Sequence, residues 1–109
     1  MAQRIQTYAE FWPFYLGEHK KQSTRALHYL GTSLFLAIEF TALILGDLRL
    51  IPIGIVCAYG FAWFSHFFIE HNRPATFTYP LWSLMSDFRM LAMALSFSLG
   101  RELRRFGIA

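Results

Sequence analysis

The chain has 109 residues, of which 55% are hydrophobic and 18% aromatic, while only 16% are charged. A chain of this length forms one small domain, which excludes a large multidomain enzyme. The high hydrophobic content, with a charged fraction well below the ~25% of average soluble domains, excludes a disordered protein. The net charge of +3 does not indicate a nucleic-acid partner, because the basic residues flank long apolar runs instead of lining one solvated face. We expect a lipid bilayer as partner, and no nucleic acid.

The first predicted element covers residues 8–20, which are densely aromatic and too short to span a bilayer. Trp and Tyr favour the depth of the lipid headgroups, so the pattern predicts an interfacial N-terminal helix. The polar residues that follow separate this segment from the next apolar run. Ser23 or Thr24 is expected to N-cap the helix that begins there.

The next two elements, residues 26–46 and 51–69, read as transmembrane helices. Glu39 is the one formal charge in the first run, and the second has none. A helix needs roughly 20 apolar residues to cross the ~30 Å hydrocarbon core, which both runs provide. The four residues between them force an antiparallel hairpin, so we predict an all-α fold, a small integral membrane helical bundle. A pair of buried helices in a soluble bundle is the alternative.

Residues 71–80 form a polar loop with two prolines, and residues 81–100 form a third membrane element that contains Asp87 and Arg89. If this element crosses the membrane, Lys and Arg divide almost equally between the two sides. If the element is re-entrant or interfacial, eight Lys and Arg residues lie on one side of the membrane and Arg49 alone lies on the other. The positive-inside rule then places both termini in the cytoplasm. This favours a re-entrant element, although a third membrane helix with Asp87 paired inside the bundle stays open.

Two histidines are predicted to meet near the basic end of the hairpin. In an ideal antiparallel pair, His66 lies within about 4.5 Å in depth of His28. Glu70 follows His66 by four positions, so the two side chains project from one helix face. His19 can join them if the chain folds back between residues 20 and 25, and Asp87 can approach from the third element.

Three imidazoles with one or two carboxylates are ligands for iron(II), zinc, manganese or copper, and open positions on such a metal suit iron(II) and dioxygen. The alternative is that each histidine is satisfied separately at a helix end. His71 is expected to be an exposed loop residue. Glu39 lies eleven positions after His28, so we expect it to serve structure rather than catalysis.

Several motifs, in their order along the chain, resemble a family of small membrane proteins related to 2-hydroxy-palmitic acid dioxygenase. The resemblance covers most of the chain from Phe11 to Met90, in four blocks: Phe11-Trp12 to Tyr15-Leu16 with Glu18-His19; Arg25-Ala-Leu-His28 with Gly31-Thr32; Ala62-Trp-Phe-Ser-His-Phe-Phe-Ile-Glu70; and Asn72-Arg-Pro-Ala-Thr-Phe77 with Tyr79-Pro-Leu-Trp-Ser-Leu84 and Asp87. It implies an iron(II)-dependent dioxygenase of fatty acid alpha-oxidation, which removes one carbon from a long-chain 2-hydroxy fatty acid. The family's histidines correspond to His19, His28 and His66, which would hold the metal.

In this hypothesis the 2-hydroxy fatty acid and dioxygen are the substrates. Glu70 or Asp87 acts in catalysis as a further ligand or as a group that orients the histidines, and Arg73 binds the substrate carboxylate through its guanidinium fork. Two other functions stay open: a non-catalytic membrane protein that binds lipid or a partner, and a metal-dependent lipid hydroxylase. A homo-oligomer is compatible with so small a bundle.

Overall fold

The computed structural model describes residues 4–108, which form helices and connecting turns and contain no β-strand. The predicted all-helical fold is confirmed. The helices are α1 (Tyr8–Gly17), α2 (Gln22–Leu45), α3 (Leu50–Ser65), α4 (Pro80–Leu95) and α5 (Leu99–Arg105), with a π-helical turn at His66–Glu70 and a 3₁₀ turn at Ala75–Phe77. Contacts divide the chain into two compact units, Lys21–Pro74 and Met1–Lys20 with Ala75–Ala109.

The unit Lys21–Pro74 is built on α2 packed against α3 and the π-turn. Both helical stretches, Gln22–Leu45 and Leu50–Glu70, are long and apolar enough to cross a membrane. They approach closely at Gly31, where an added Cβ would lie 3.0 Å from the Phe61 Cβ and 3.2 Å from the Ala58 carbonyl oxygen. The absence of a side chain at Gly31 therefore allows the two backbones to pack against each other.

The connection between α2 and α3 is tight, as its length predicts. Gly46 ends α2 in the left-handed region at φ 65°, a conformation that glycine adopts without a Cβ penalty. The Arg49 guanidinium then donates two hydrogen bonds to the Asp47 carboxylate, at 2.9 and 3.0 Å. These bonds hold the pKa of Asp47 below its usual value.

The prediction that Ser23 or Thr24 caps α2 is wrong. The helix begins at Gln22 with Lys21 as N-cap, and no side chain of the cap residue bonds to the first turn. Glu70 supplies the acceptor instead, because its Oε2 receives the Lys21 backbone N–H at 3.1 Å and the Thr24 hydroxyl at 2.6 Å. A carboxylate from the end of the π-turn thus takes the place of a local cap.

The other unit packs α1 against α4, with α5 following α4. Thr7 caps α1 by accepting the Glu10 N–H. The Phe11 ring lies 5.3 Å from the Tyr79 ring and 5.6 Å from the Trp82 ring, centroid to centroid. Phe11, Trp12, Tyr15 and Leu16 are all buried. Contacts with Tyr79 and Trp82 therefore place these aromatic side chains in the interior of the unit.

The stretch 81–100 does not form one continuous helix. It divides between α4 and α5, and Phe97 at the break adopts φ 60°. The Ser98 N–H donates to the Met93 carbonyl at 2.9 Å and closes the end of α4. The third apolar element is therefore a helix of 16 residues followed by a turn and a short basic helix.

Candidate metal centre

The rings of His28 and His66 lie 5.0 Å apart, centroid to centroid, and both are almost completely buried. His28 lies on α2, and His66 begins the π-turn that continues α3. The proximity predicted from the antiparallel register of the hairpin is confirmed. Single π-helical turns inside α-helices occur frequently at functional sites, and His66 is the first residue of this one.

The Nδ1 of His28 lies 2.9 Å from the carbonyl oxygen of Thr24, one helical turn earlier. A carbonyl oxygen only accepts hydrogen bonds, so Nδ1 carries the hydrogen and the lone pair of the neutral ring lies on Nε2. The Ser65 hydroxyl is 3.3 Å from the same Nδ1 and donates to the Ala62 carbonyl. His28 is thereby held as a ring that offers Nε2 to a ligand.

His66 and Asn72 form a reciprocal pair. The His66 Nδ1 lies 2.7 Å from the Asn72 Oδ1, and the Asn72 backbone N–H donates to the His66 carbonyl at 2.9 Å. His71, exposed between them in sequence, adopts φ 59° and turns the chain back so that Asn72 reaches the ring. Here too the acceptor on Nδ1 leaves Nε2 as the basic nitrogen.

His19 follows α1 and is buried. Its Nδ1 lies 2.6 Å from the Tyr15 carbonyl oxygen, and the ring stacks on the Tyr15 ring with centroids 4.2 Å apart. The Tyr15 hydroxyl donates a short hydrogen bond to the Asp87 carboxylate. Tyr15 thus links Asp87 to His19 within one unit, and burial raises the pKa of Asp87 to about 7.

His19, His28 and His66 each offer one ligand atom, and these atoms lie within 4.8 Å of one another. The three close histidines can hold a metal ion. Neutral imidazoles with a hydrogen-bonded Nδ1 are the usual form of histidine ligands, because the second nitrogen fixes the tautomer and the ring orientation. This donor set fits iron(II), and it also suits zinc and copper.

The other predicted site residues lie outside this ligand set. The Glu70 carboxylate accepts from Lys21 and Thr24, and Asp87 accepts from Tyr15. Arg73 is exposed one position after Asn72. Glu39 packs against Gly54, far along α2 from His28.

Sequence reasoning missed the groups that hold the histidines, namely Asn72, Tyr15 and the Thr24 carbonyl. A signal for two of them exists, because a helical histidine can donate Nδ1–H to the carbonyl four residues earlier. Tyr15 precedes His19, and Thr24 precedes His28, by that spacing. No comparable spacing rule predicts Asn72, whose contact depends on the turn at His71.

The chain is similar to a family of known proteins. The model of the family "2-hydroxy-palmitic acid dioxygenase Mpo1-like" matches residues 5–99. No curated protein and no solved structure matches the chain significantly. The family match includes all three histidines and extends over most of the chain, as the resemblance of the motifs predicted. The chain belongs to the 2-hydroxy-palmitic acid dioxygenase Mpo1-like family.

Proposed function

We propose that this protein is an iron(II)-dependent dioxygenase that converts a long-chain 2-hydroxy fatty acid to the fatty acid one carbon shorter. The observation that carries the proposal is the set of three buried histidines, each with Nδ1 on an oxygen acceptor and with ligand atoms within 4.8 Å of one another. The family to which the chain belongs supports the substrate class.

The overall reaction balances with dioxygen as the oxidant. One 2-hydroxy acid and one O₂ give the shortened acid, carbon dioxide and water. The C1–C2 bond breaks, C1 leaves as carbon dioxide, and C2 becomes the new carboxyl carbon. Bound iron(II) supplies dioxygen activation and coordination positions for the substrate's hydroxyl and carboxylate oxygens.

In this proposal the protein's own residues hold the three neutral histidine rings in one tautomer, with the hydrogen on Nδ1. Asn72 orients His66, and the Thr24 carbonyl orients His28. Glu70 acts one step further away, because it binds the Thr24 hydroxyl at the start of α2. Glu70 is therefore a positioning residue in this proposal, rather than the further ligand that remained open from sequence.

Asp87 has the corresponding role for His19. Its carboxylate accepts from the Tyr15 hydroxyl, and Tyr15 both stacks on His19 and accepts from its Nδ1. We assign Asp87 to positioning as well, through Tyr15. Arg73, an exposed residue next to Asn72, is the proposed partner of the substrate carboxylate.

We further propose that the protein is integral to the membrane, with α2 and α3 as its spans and both termini in the cytoplasm. The length and apolar character of the two helical stretches support the two spans. The connection between them contains one basic residue, Arg49, which supports the orientation under the positive-inside rule. A membrane location lets the alkyl tail of the substrate stay in lipid while its polar end reaches the histidines.

The test is a turnover assay on detergent-purified protein loaded anaerobically with Fe(II). The protein receives 2-hydroxyhexadecanoate and then air, and mass spectrometry follows the products. His66→Ala is the site variant, and His71→Asn is the matched control, because that histidine is exposed and asparagine tolerates its left-handed conformation. We expect an oxygen-dependent fifteen-carbon acid from the wild type and His71→Asn, and at least a hundredfold less from His66→Ala.

Two results would contradict the proposal. Iron binding with no shortened product from any chain length would indicate another metalloenzyme, such as a lipid hydroxylase. Absence of both product and bound iron would favour a non-catalytic membrane protein that binds lipid or a partner.

A further inference from the structure

A carboxyl group lies far from the histidines on the same pair of helices. Glu39 is eleven positions after His28 on α2, about 16 Å along the helix axis. Its side chain crosses to α3 at Gly54, where an added Cβ would lie 2.6 Å from Oε1 and 3.0 Å from Cδ. Gly54 therefore provides the space that the carboxyl group occupies, and a side chain at this position would displace it.

One oxygen of the Glu39 carboxyl group has unused hydrogen-bonding capacity. Its Oε1 is buried and has no hydrogen-bond partner among the described residues. The nearby cation in the α2–α3 connection, Arg49, is bound to Asp47 and directs its side chain into solvent. An acidic group in an apolar helix without a counter-charge is costly, so such residues commonly mark a binding site.

Glu39 also lines a cavity of about 320 Å³ at the end of α2, together with Ala42, Leu43, Gly46, Leu48 and Ile51. All of these other residues are apolar or glycine. The volume is about ten times the ~30 Å³ that one water occupies in the liquid, so it admits more than a bare cation. The carboxyl group is the polar feature of an otherwise hydrophobic cavity.

Two sources of negative potential coincide in this cavity. One is the Glu39 carboxylate, and the other is the C-terminal end of α2, which carries the negative pole of the helix dipole. A positive group with hydrogen-bond donors matches both, and an alkyl body matches the remaining walls. An ammonium group attached to a hydrocarbon chain combines these features.

We propose that the Glu39 cavity binds the ammonium group of an amphiphile, with Glu39 as its counter-ion. The site is separate from the histidine cluster, and the proposal does not depend on the proposed dioxygenase activity. The ammonium comes either from a lipid headgroup or from a free alkylamine, which share this chemistry.

The experiment measures binding to the purified full chain in neutral maltoside micelles by native mass spectrometry. The probes are dodecylamine, the uncharged dodecanol, and methylamine, which lacks the alkyl chain. Glu39→Gln removes the charge with little change of shape, and Glu10→Gln makes the same change at an exposed position of α1. Circular dichroism verifies that each variant keeps its helix content.

We expect saturable binding of dodecylamine to the wild type and Glu10→Gln, weaker by about tenfold or more in Glu39→Gln, as loss of a charge-assisted hydrogen bond implies. Dodecanol and methylamine should bind much less. Leu43→Trp narrows the cavity from its exposed rim and leaves Glu39 in place, so it should weaken dodecylamine even if Glu39→Gln fails to fold. Phosphatidylethanolamine as a fourth probe distinguishes a lipid headgroup from a free amine.

Three outcomes would overturn the proposal. Equal binding of dodecanol and dodecylamine would show a hydrophobic cavity without charge recognition. Equal binding of methylamine and dodecylamine would show a small-cation site. Unchanged dodecylamine binding in both Glu39→Gln and Leu43→Trp would place the amine elsewhere.

Discussion

At the scale of single residues, the acceptor on each Nδ1 decides what the histidines can do. A neutral imidazole exists in two tautomers, and only the one with hydrogen on Nδ1 offers Nε2 to a metal. The Tyr15 carbonyl, the Thr24 carbonyl and the Asn72 side chain select this tautomer for His19, His28 and His66. In the proposed metal site, these acceptors therefore orient the three rings.

Asn72 is the one acceptor of the three that binds Nδ1 through its side chain, so a substitution can remove it. Asn72→Leu removes the oxygen that holds the His66 Nδ1, so we expect metal affinity to fall by about 10–100-fold. Asn72→Asp keeps an oxygen acceptor and should retain most of the affinity. Titration with Co(II), followed by its visible absorption, measures the affinity without turnover. Equal affinity in Asn72→Leu and the wild type would contradict this role.

Asp87 predicts a pH dependence of stability. Its pKa is about 7 in the folded protein, above the usual carboxyl value, because the group is buried. The folded state therefore binds more protons than the unfolded state between about pH 4 and 7, and stability falls as the pH rises through this window. Asp87→Asn removes this contribution, so between about pH 4 and 7 the thermal midpoint of the wild type should fall by about 10 °C or more beyond that of the variant. Parallel curves for the two proteins would rule out the raised pKa.

At the scale of helices, two glycines of the α2–α3 pair have opposite roles. An added Cβ at Gly31 would meet the Phe61 side chain and the carbonyls of Cys57 and Ala58 at 3.0–3.2 Å. A Cβ at Gly60 would meet nothing within 4 Å. The first glycine is required by packing, whereas the second lowers helix propensity without a packing role.

The same substitution should therefore change stability in opposite directions. We expect Gly31→Ala to destabilise the protein by about 1–3 kcal/mol through overpacking. Gly60→Ala should stabilise it by up to about 1 kcal/mol through helix propensity. Reversible unfolding in mixed micelles, followed by circular dichroism, measures both values. The packing account fails if the two variants shift the midpoint in the same direction.

At the scale of the whole molecule, the break after α4 supports the proposal that the chain crosses the membrane twice. An α-helix of 16 residues extends about 24 Å, less than the ~30 Å hydrocarbon core. Phe97 at the break is 94% exposed, and the exposed arginines Arg101, Arg104 and Arg105 follow it. These features favour a helix that enters or lies along one membrane face over a third span.

Cysteine labelling in intact cells tests this topology. Cys57→Ser provides a cysteine-free background, and Leu48→Cys and Phe97→Cys place single thiols at exposed positions. We expect a membrane-impermeant maleimide added outside to label Leu48→Cys and to label Phe97→Cys only after permeabilisation. Labelling of both thiols from outside would mean that α4 crosses the membrane.

The sequence predicted the helices and the pairing of His28 with His66 because both depend on local quantities. Apolar run length sets the helices, and the short connection after Gly46 sets the register that brings the two rings level. The start of α2 was predicted incorrectly, because Glu70 comes from 46 residues away to bind Thr24. The burial of the α1 aromatic residues was not predicted for a similar reason, since contacts with α4 cannot be read from α1 alone.

The sequence by itself determined the helical class, the apolar hairpin, the family and the three histidines, because composition, periodicity and motifs are written along the chain. Only the tertiary structure decided which nitrogen of each histidine carries the hydrogen, since that depends on the carbonyls of α1 and α2 and on the turn at His71. The structure likewise showed that Asp87 contacts Tyr15 and that Glu39 occupies the space above Gly54. Hydrogen bonds and close approaches act over about 3 Å, and only the folded chain brings distant residues within that range.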